Sequence, residues 1–270
     1  MIKQPIKKWR KPFLIGVKDF FAVGWGALNH LLWPKRCVNC RSIILEINSE
    51  LCDGCWQQIG AVSGGNYCKR CGRDVSEYGI SGGGCAGCEG EEFSFDAIAR
   101  AGVYATSLRE MILSFKTDSG KATKTLSFLA NSALSGSTFL DDIDYFVPVP
   151  LHWMRRVRRG YNQSQILAEQ LAHPAAIDGQ RSRTRVNTDL VRIRRTKIQP
   201  STASVHQRLK NVKGAFAVRR GHDFAGKKIC LVDDVKTTGA TLNECAKQLK
   251  EAGAAKVFAL VLAVADQRID

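Results

Sequence analysis

From Phe93 to the end of the chain, short apolar runs alternate with amphipathic stretches, a pattern that predicts an α/β domain. Ala97 to Tyr104 predicts a strand, Leu108 to Phe115 and Leu126 to Leu134 predict helices, and Gln163 to Leu171 predicts another. Tyr145 to Val149 reads as a buried strand stopped by Pro150. Ile229 to Val232 and Val257 to Val264 are short, apolar and rich in β-branched residues. Between them Leu242, Ala246 and Leu249 recur at helical spacing, closed by Gly253. Such a strand, loop, helix, strand unit implies parallel strands joined by a right-handed crossover.

The texture before Phe93 is different. Ile15, Phe20, Val23 and Leu31 recur at near-helical spacing and predict an amphipathic helix packed on the rest of the protein, with peripheral membrane contact as the alternative. Phe13 to Trp33 is apolar enough to raise a membrane span, but Lys18 and Asp19 inside it are costly at bilayer depth. No small-residue cleavage site follows it, so the expectation is a cytoplasmic protein without a transmembrane segment. Three segments result: an N-terminal helix over 1–34, a cysteine-rich module over 35–92, and the α/β domain over 93–270.

Composition adds a charge argument. A chain of 270 residues with 44% apolar content can bury a substantial core. Lys and Arg number 40 against 25 Asp and Glu, a formal charge of +15. That excess favours a polyanionic partner, whether nucleic acid, a membrane surface or a pyrophosphate, although a merely solvated basic surface would have the same count.

Eight of the ten cysteines form four Cys-x-x-Cys pairs: Cys37 with Cys40, Cys52 with Cys55, Cys68 with Cys71, and Cys85 with Cys88. Each such turn aims two thiolates at one point, and two turns complete the tetrahedral sulfur shell that zinc prefers. Eight ligands suit two zinc ions. Disulfides are the competing use, yet a cytosolic chain keeps thiols reduced; an iron–sulfur cluster would need tighter spacing. With four thiolates and no open position, both sites are structural, and zinc supplies about 10–16 kcal/mol where large apolar residues are few. Pairing in chain order is expected, with a cross-braced arrangement as the rival. Cys230 and Cys245 stand alone.

The candidate chemistry lies where the strand from Ile229 ends, in Asp233, Asp234, Val235, Lys236, Thr237, Thr238, Gly239, Ala240 and Thr241. Ligands in open parallel sheets bind outside the carboxyl ends of strands. Two adjacent carboxylates can accept hydrogen bonds from the vicinal hydroxyls of a ribose. The threonine hydroxyls, the close backbone approach at Gly239 and the amides opening the next helix suit a phosphate.

At these residues the chain resembles the type I phosphoribosyltransferase signature, in which two acidic residues hold the ribose and the Thr-Thr-Gly-x-Thr turn holds its 5′-phosphate. The likeness extends to the ComF (GntX-like) family, a double zinc ribbon followed by a phosphoribosyltransferase-like domain. Its matching stretches are the cysteine ladder, Tyr104 to Lys116, Val147 to His152, Arg158 to Gln163, and Arg208 to Phe216.

The resemblance implies that Asp233 and Asp234 act catalytically, and that 233–241 bind phosphoribosyl pyrophosphate with magnesium. It also implies that the turn after Pro150 is the pyrophosphate loop, where a non-proline cis peptide is common in the superfamily. Arg155 and Arg159, beside Arg156 and Arg158, would then meet the pyrophosphate, which suits bidentate guanidinium contacts. Arg192 to Gln207 looks like a mobile loop over the site. It departs from the family at Ser201-Thr202 and Ala203-Ser204, where a Gly-Leu step and a Ser-Arg pair are usual. Thr237 stands where purine-salvage enzymes carry an acidic base, which argues against a 6-oxopurine acceptor.

The family's association with DNA uptake implies partners in the competence machinery and is compatible with a homodimer. Three functions stay open on these grounds: a phosphoribosyltransferase with an unidentified acceptor, a silent ribose-phosphate sensor, and a single-stranded DNA binder. The third would use Arg181, Arg183, Arg185, Arg192, Arg194, Arg195 and Lys197.

Overall fold

Hydrogen bonding between parallel strands organises the computed structural model, which describes residues 34–44, 46, 49–76, 79–81, 84–118, 120–173, 184–195 and 205–265. The expected N-terminal helix, Arg181, Arg183 and 196–204 of the expected mobile loop lie outside the described residues.

Two regions share the chain. In the cysteine-rich region a helix α1 (Asp53–Val62) follows the second Cys-x-x-Cys pair, and β1 (Ile80–Ser81) pairs antiparallel with β2 (Gly84–Cys85). The remainder runs β3 (Ala97–Val103), α2 (Thr106–Thr117), α3 (Thr123–Ser135), β4 (Tyr145–Pro148), α4 (Trp153–Arg159) and α5 (Gln163–Ala172). It continues through β5 (Arg185–Val186), β6 (Leu190–Arg192), α6 (Val205–Val212), β7 (Phe216–Val218), β8 (Lys228–Lys236), α7 (Ala240–Glu251) and β9 (Lys256–Val264). Five strands form one sheet in the order β3-β9-β8-β4-β5, every pairing parallel, while β6 and β7 form a separate antiparallel ribbon.

The strands are apolar on both faces because both faces are covered. Along β8, Cys230 and Val232 enter one core and Ile229 and Leu231 the other; along β9, Phe258, Leu260 and Leu262 alternate in the same way with Val257, Ala259 and Val261. The first core takes Leu108, Met111 and Phe115 of α2, Leu126 and Leu134 of α3, and Leu167 and Leu171 of α5. The second takes Leu242, Ala246 and Leu249 of α7 with Phe216 of the antiparallel ribbon. This is the α/β architecture with an all-parallel main sheet that the periodicity predicts.

Strand β8 is longer than its apolar run. Pairing with β9 continues from Lys228↔Lys256 to Lys236↔Val264, so the two aspartates lie within the strand and not in a loop after it. Pairing with β4 stops at Pro148↔Val232, apart from a Val149 amide that donates to the Val232 carbonyl at 2.9 Å. In an open parallel sheet such diverging strand ends leave a crevice, here between β4 and β8 beside Asp233 and Asp234. The chain leaves β4 toward β5 on one side and leaves β8 toward β9 on the other, which makes this crevice the switch point of the sheet.

The cysteine-rich region is not loosely tethered. Cys37, Ile44, Leu51, Cys55 and Ile59 belong to the same buried cluster as α2, α3 and β3. Arg100 of β3 pairs with Asp74, and Ser63 bridges to Gly102. A Cβ at Gly102 would stand 2.5 Å from the Val62 carbonyl oxygen and 3.0 Å from a Leu108 methyl. Gly102→Ala should therefore destabilise the protein by roughly 1–3 kcal/mol in denaturant titrations, because backbone on both sides of the contact must separate.

Candidate functional site and zinc centres

The eight cysteines gather in chain order, Cys37, Cys40, Cys52 and Cys55 at one point and Cys68, Cys71, Cys85 and Cys88 at another, with the four sulfurs of each group within 4.8 Å of one another. The sequential pairing is the one the structure adopts. Four sulfurs around zinc at about 2.3 Å stand about 3.8 Å apart. The separations Cys40–Cys52 3.5 Å, Cys68–Cys88 3.9 Å, Cys71–Cys85 3.6 Å and Cys85–Cys88 3.7 Å fit that tetrahedron, and none of the cysteines forms a disulfide. Around the first group the Asn39 amide donates to Cys55 Sγ at 3.4 Å and Ser42 Oγ lies 3.0 Å from Cys40 Sγ. Without metal these thiols differ. Hydrogen bonding by Ser42 draws Cys40 down to about 6, whereas burial pushes Cys55 up to about 11 and Cys71 further still.

The second site is assembled at the end of β8 by three other elements. Helix α5 begins at Gln163 because the Asn162 side chain caps it, accepting the Ser164 amide at 3.2 Å while donating to the Val149 carbonyl at 3.1 Å. That cap holds the start of α5 against the end of β4, and from it Ser164 Oγ donates to Asp233 Oδ1 at 3.1 Å. The same oxygen accepts the Asp234 amide at 2.9 Å. Lys116, on the last turn of α2, forms an ion pair with Asp234 at 2.9 Å. Tyr161 donates to the Phe115 carbonyl at 2.6 Å and so ties that turn of α2 to the segment before α5.

The two acids are held differently. Burial, and then the neighbouring charge of Asp234, pushes the Asp233 carboxyl up to about 7, against the pull of the Asp234 amide, Ser164 and Lys116. Asp234 has the lysine. The pair thus presents one ion-paired carboxylate beside one whose ionisation responds near neutral pH.

Beyond the acids, Thr237, Thr238 and Gly239 make the turn into α7. Gly239 takes φ 80° as the N-cap, and Thr238 Oγ1 accepts the Ala240 amide at 3.4 Å. Val235 is half-buried against the first core, Lys236 and Ala240 are buried, and Thr241 is half-buried on the first turn of α7. Arg208 of α6 donates to Thr237 Oγ1 at 3.1 Å, so a helix that starts at Val205, inside the stretch expected as a mobile loop, touches the turn.

The expected pyrophosphate arginines lie on α4, directly after β4. Arg159 donates to Gln163 Oε1 at 3.2 Å, while the Arg155 side chain lies outside the described residues. No peptide bond among the described residues is cis. The periodicity singles out neither Lys116, Ser164 nor Arg208 as a site residue. Lys116 and Arg208 fall inside the stretches that carry the family resemblance, which was the available signal; nothing marked Ser164.

This combination, a double four-cysteine ribbon leading into a parallel α/β domain with paired acids at its switch point, defines a class: zinc-ribbon proteins with a phosphoribosyltransferase-like domain. Comparison with known proteins agrees. A double zinc ribbon domain matches residues 28–89 and a phosphoribosyl transferase domain matches residues 136–269. Competence protein F of Haemophilus influenzae is 32% identical over 227 residues, covering 82% of this chain and 93% of that protein. The DNA utilization protein YhgH of Salmonella typhimurium is 29% identical, covering 83% and 94%. Competence protein ComFC of Bacillus subtilis is 28% identical, covering 86% and 85%. The chain belongs to the ComF family, that of competence protein F. No helix among the described residues is long and apolar enough to cross a membrane.

Two outcomes follow from the geometry. Cys71→Ser should lower the zinc content from two ions per chain to one, read by atomic absorption. For Asp233, the folded protein holds a proton that the unfolded chain releases at an ordinary carboxyl value. Stability should therefore fall as pH rises from about 4 to about 7, and Asp233→Asn should flatten that decline in urea titrations across the same window.

Proposed function

We propose that the crevice at the end of β8 binds phosphoribosyl pyrophosphate or a related ribose phosphate, and that the protein transfers the phosphoribosyl group to an acceptor not yet identified. The observation that carries this reading is the position of Asp233 and Asp234 at the switch point of a parallel sheet, one turn before a threonine-glycine helix start. The carboxylates accept hydrogen bonds from the ribose hydroxyls, and Thr237, Thr238, Thr241 and the amides of α7 take the 5′-phosphate.

Breaking the bond from C1 to pyrophosphate builds positive charge on the sugar and releases negative charge with the leaving group. Asp233 and Asp234, where they are ionised, stabilise the first. Arg159, with Arg155 and Arg156 on the same helix, lies near where the second would depart. Magnesium would neutralise the pyrophosphate oxygens, as expected for a hard cation on phosphate. Lys116 occupies Asp234 at rest, so a ribose whose hydroxyls donate to Asp234 would compete with that ion pair.

The boundaries 1–34, 35–92 and 93–270 fit this division of labour, with zinc-ordered structure in front and ligand chemistry behind. The reading takes the protein to be cytoplasmic, a compartment in which the cysteines stay reduced.

A DNA role is supported by the names of the relatives, competence protein F and DNA utilization protein, and by the charge of +15. The arginine run is only partly available for it. Arg194 donates to the Asn211 and Lys213 carbonyls at 3.1 and 2.6 Å, and Arg192 lies 5.2 Å from the centre of the Phe216 ring. Handling of single strands together with other competence proteins is therefore a second reading, in which the ribose-phosphate site serves as a sensor.

Calorimetry with phosphoribosyl pyrophosphate and magnesium should show binding by the unsubstituted protein and a loss of at least about tenfold in the Asp233→Ala, Asp234→Ala double variant. Absence of heat from folded, zinc-loaded protein would remove the reading. Pyrophosphate release in the presence of acceptors separates enzyme from sensor. For DNA, a steep fall of single-strand affinity with salt that is indifferent to the two aspartates supports the second reading, and a flat response removes it.

A further inference from the structure

Where the cysteine-rich region meets the α/β domain, the fold leaves a cavity of about 670 Å³, a volume within the range of small-molecule sites. It is walled by the end of α1 with the turn after it, the hairpin from Asn66 to Ser76, strand β3 and the last turns of α3. A Cβ at Gly60 or Gly64, both in the wall, would meet nothing within 4 Å, so neighbouring side chains do not close the space. None of the lining residues belongs to the crevice at the end of β8. Strand β3 is the edge of the sheet, with β9 between it and β8.

Arg100 of β3 lines this space with a side chain that is 3% exposed. A guanidinium so buried is costly unless its donors are used. Its Nη2 donates to Asp74, whose own side chain is 45% exposed, but the planar fork carries five N–H donors and one carboxylate oxygen cannot take them all. A second cation stands close by: Lys69 Nζ lies 3.8 Å, and the Arg100 guanidinium 5.0 Å, from the centre of the Tyr67 ring. Ser63 also lines the cavity, and its buried Oγ has no hydrogen-bond partner among the described residues. The opposite chemistry faces these groups, since Val75, Ile80, Leu129 and Ala133 make an apolar wall.

We propose that this cavity is a second binding site, for a small organic monocarboxylate whose acid group takes the Arg100 donors that Asp74 leaves and whose apolar body lies against Leu129, Val75 and Ile80. Lys69 and Ser63 supply further donors at the polar side. The two cations outweigh Asp74 by a single positive charge, so a singly charged acid balances the cavity and a phosphate dianion overshoots it. An occupant would touch the helix that carries Cys55, the hairpin that carries Cys68 and Cys71, and the edge strand of the sheet at once. By mass action it would stabilise the seating of both sulfur centres on the α/β domain.

The test is calorimetry of the zinc-loaded full chain with 2-naphthoate and octanoate, the uncharged amide of each, and inorganic phosphate, with zinc content and thermal midpoint as checks on folding. At least one carboxylate should bind, and the preference between them tells an aromatic from an aliphatic body. Its amide should bind at least about tenfold more weakly, and Arg100→Met should cost the carboxylate a similar factor, partly restored in Arg100→Lys. Ser132→Phe, at an exposed position of α3 that lines the cavity, should block the site while leaving Arg100 and Asp74 in place. The Asp233→Ala, Asp234→Ala double variant should bind the carboxylate as the unsubstituted protein does; a loss there would put the ligand in the crevice and overturn the proposal. So would failure of both carboxylates, equal affinity for acid and amide, or phosphate bound as tightly as the acid. None of these results bears on the ribose-phosphate reading. Should Arg100→Met not fold, Ser132→Phe and the Nε–H resonance of Arg100 in the unsubstituted protein decide: blocked binding with a shifted resonance supports the site, and an unmoved resonance or unblocked binding removes it.

Discussion

The hydrogen-bonded ladder between β8 and β9 is the constraint on which the rest of the molecule depends. It continues four residues past the point where β4 departs, and so presents Asp233, Asp234, Val235 and Lys236 on a strand supported from one side only. A loop of the same sequence could not hold two neighbouring carboxylates in fixed and unequal surroundings. Because the backbone is pinned, the environment decides their chemistry: Ser164 and the Asp234 amide share one oxygen of Asp233, and Lys116 takes Asp234. Like charges one residue apart are tolerated because one is ion-paired and the other is pushed toward its neutral form.

The cysteine ladder solves a different problem with a different bond. Between Cys37 and Cys88 the chain has too few large side chains to form a core alone, and its two four-sulfur centres supply order that burial does not. The two halves of this region are nevertheless unequal. The first centre shares its buried cluster with α2, α3 and the sheet, whereas the second forms a small cluster of its own with Val75 and Phe93 packed on it.

Much of this was readable from residue order, and the exceptions have physical causes. Strands from Ala97, Tyr145, Ile229 and Val257, and helices α2, α3, α5 and α7, follow from apolar period alone, because buried parallel strands and amphipathic helices leave a plain signature. The pairing of cysteines in chain order also came through, since each knuckle needs its neighbour within a few ångströms. Periodicity could not extend β8 over Asp233 to Lys236, where charged residues continue a strand whose partner, β9, dictates the register. Helix α4 is only seven residues long and follows Pro150, where the sequence reads as a turn, so it is too short for its period to stand out. Ser164 was invisible because its role depends on where the α5 cap places it, a matter of tertiary contact.

Helix α2 carries a consequence beyond its packing. At its first turn Ser107 Oγ accepts from the Asn39 amide at 3.0 Å and donates to Gln58, while Asn39 also reaches Cys55 of the first sulfur centre. At its last turn the same helix delivers Lys116 to Asp234. A rigid rod twelve residues long thus has one end anchored beside a metal centre and the other gripping an acid of the crevice. The first sulfur centre and the lysine that pairs with Asp234 therefore stand on one continuous element, so a variant that disorders the centre should displace Lys116 as well.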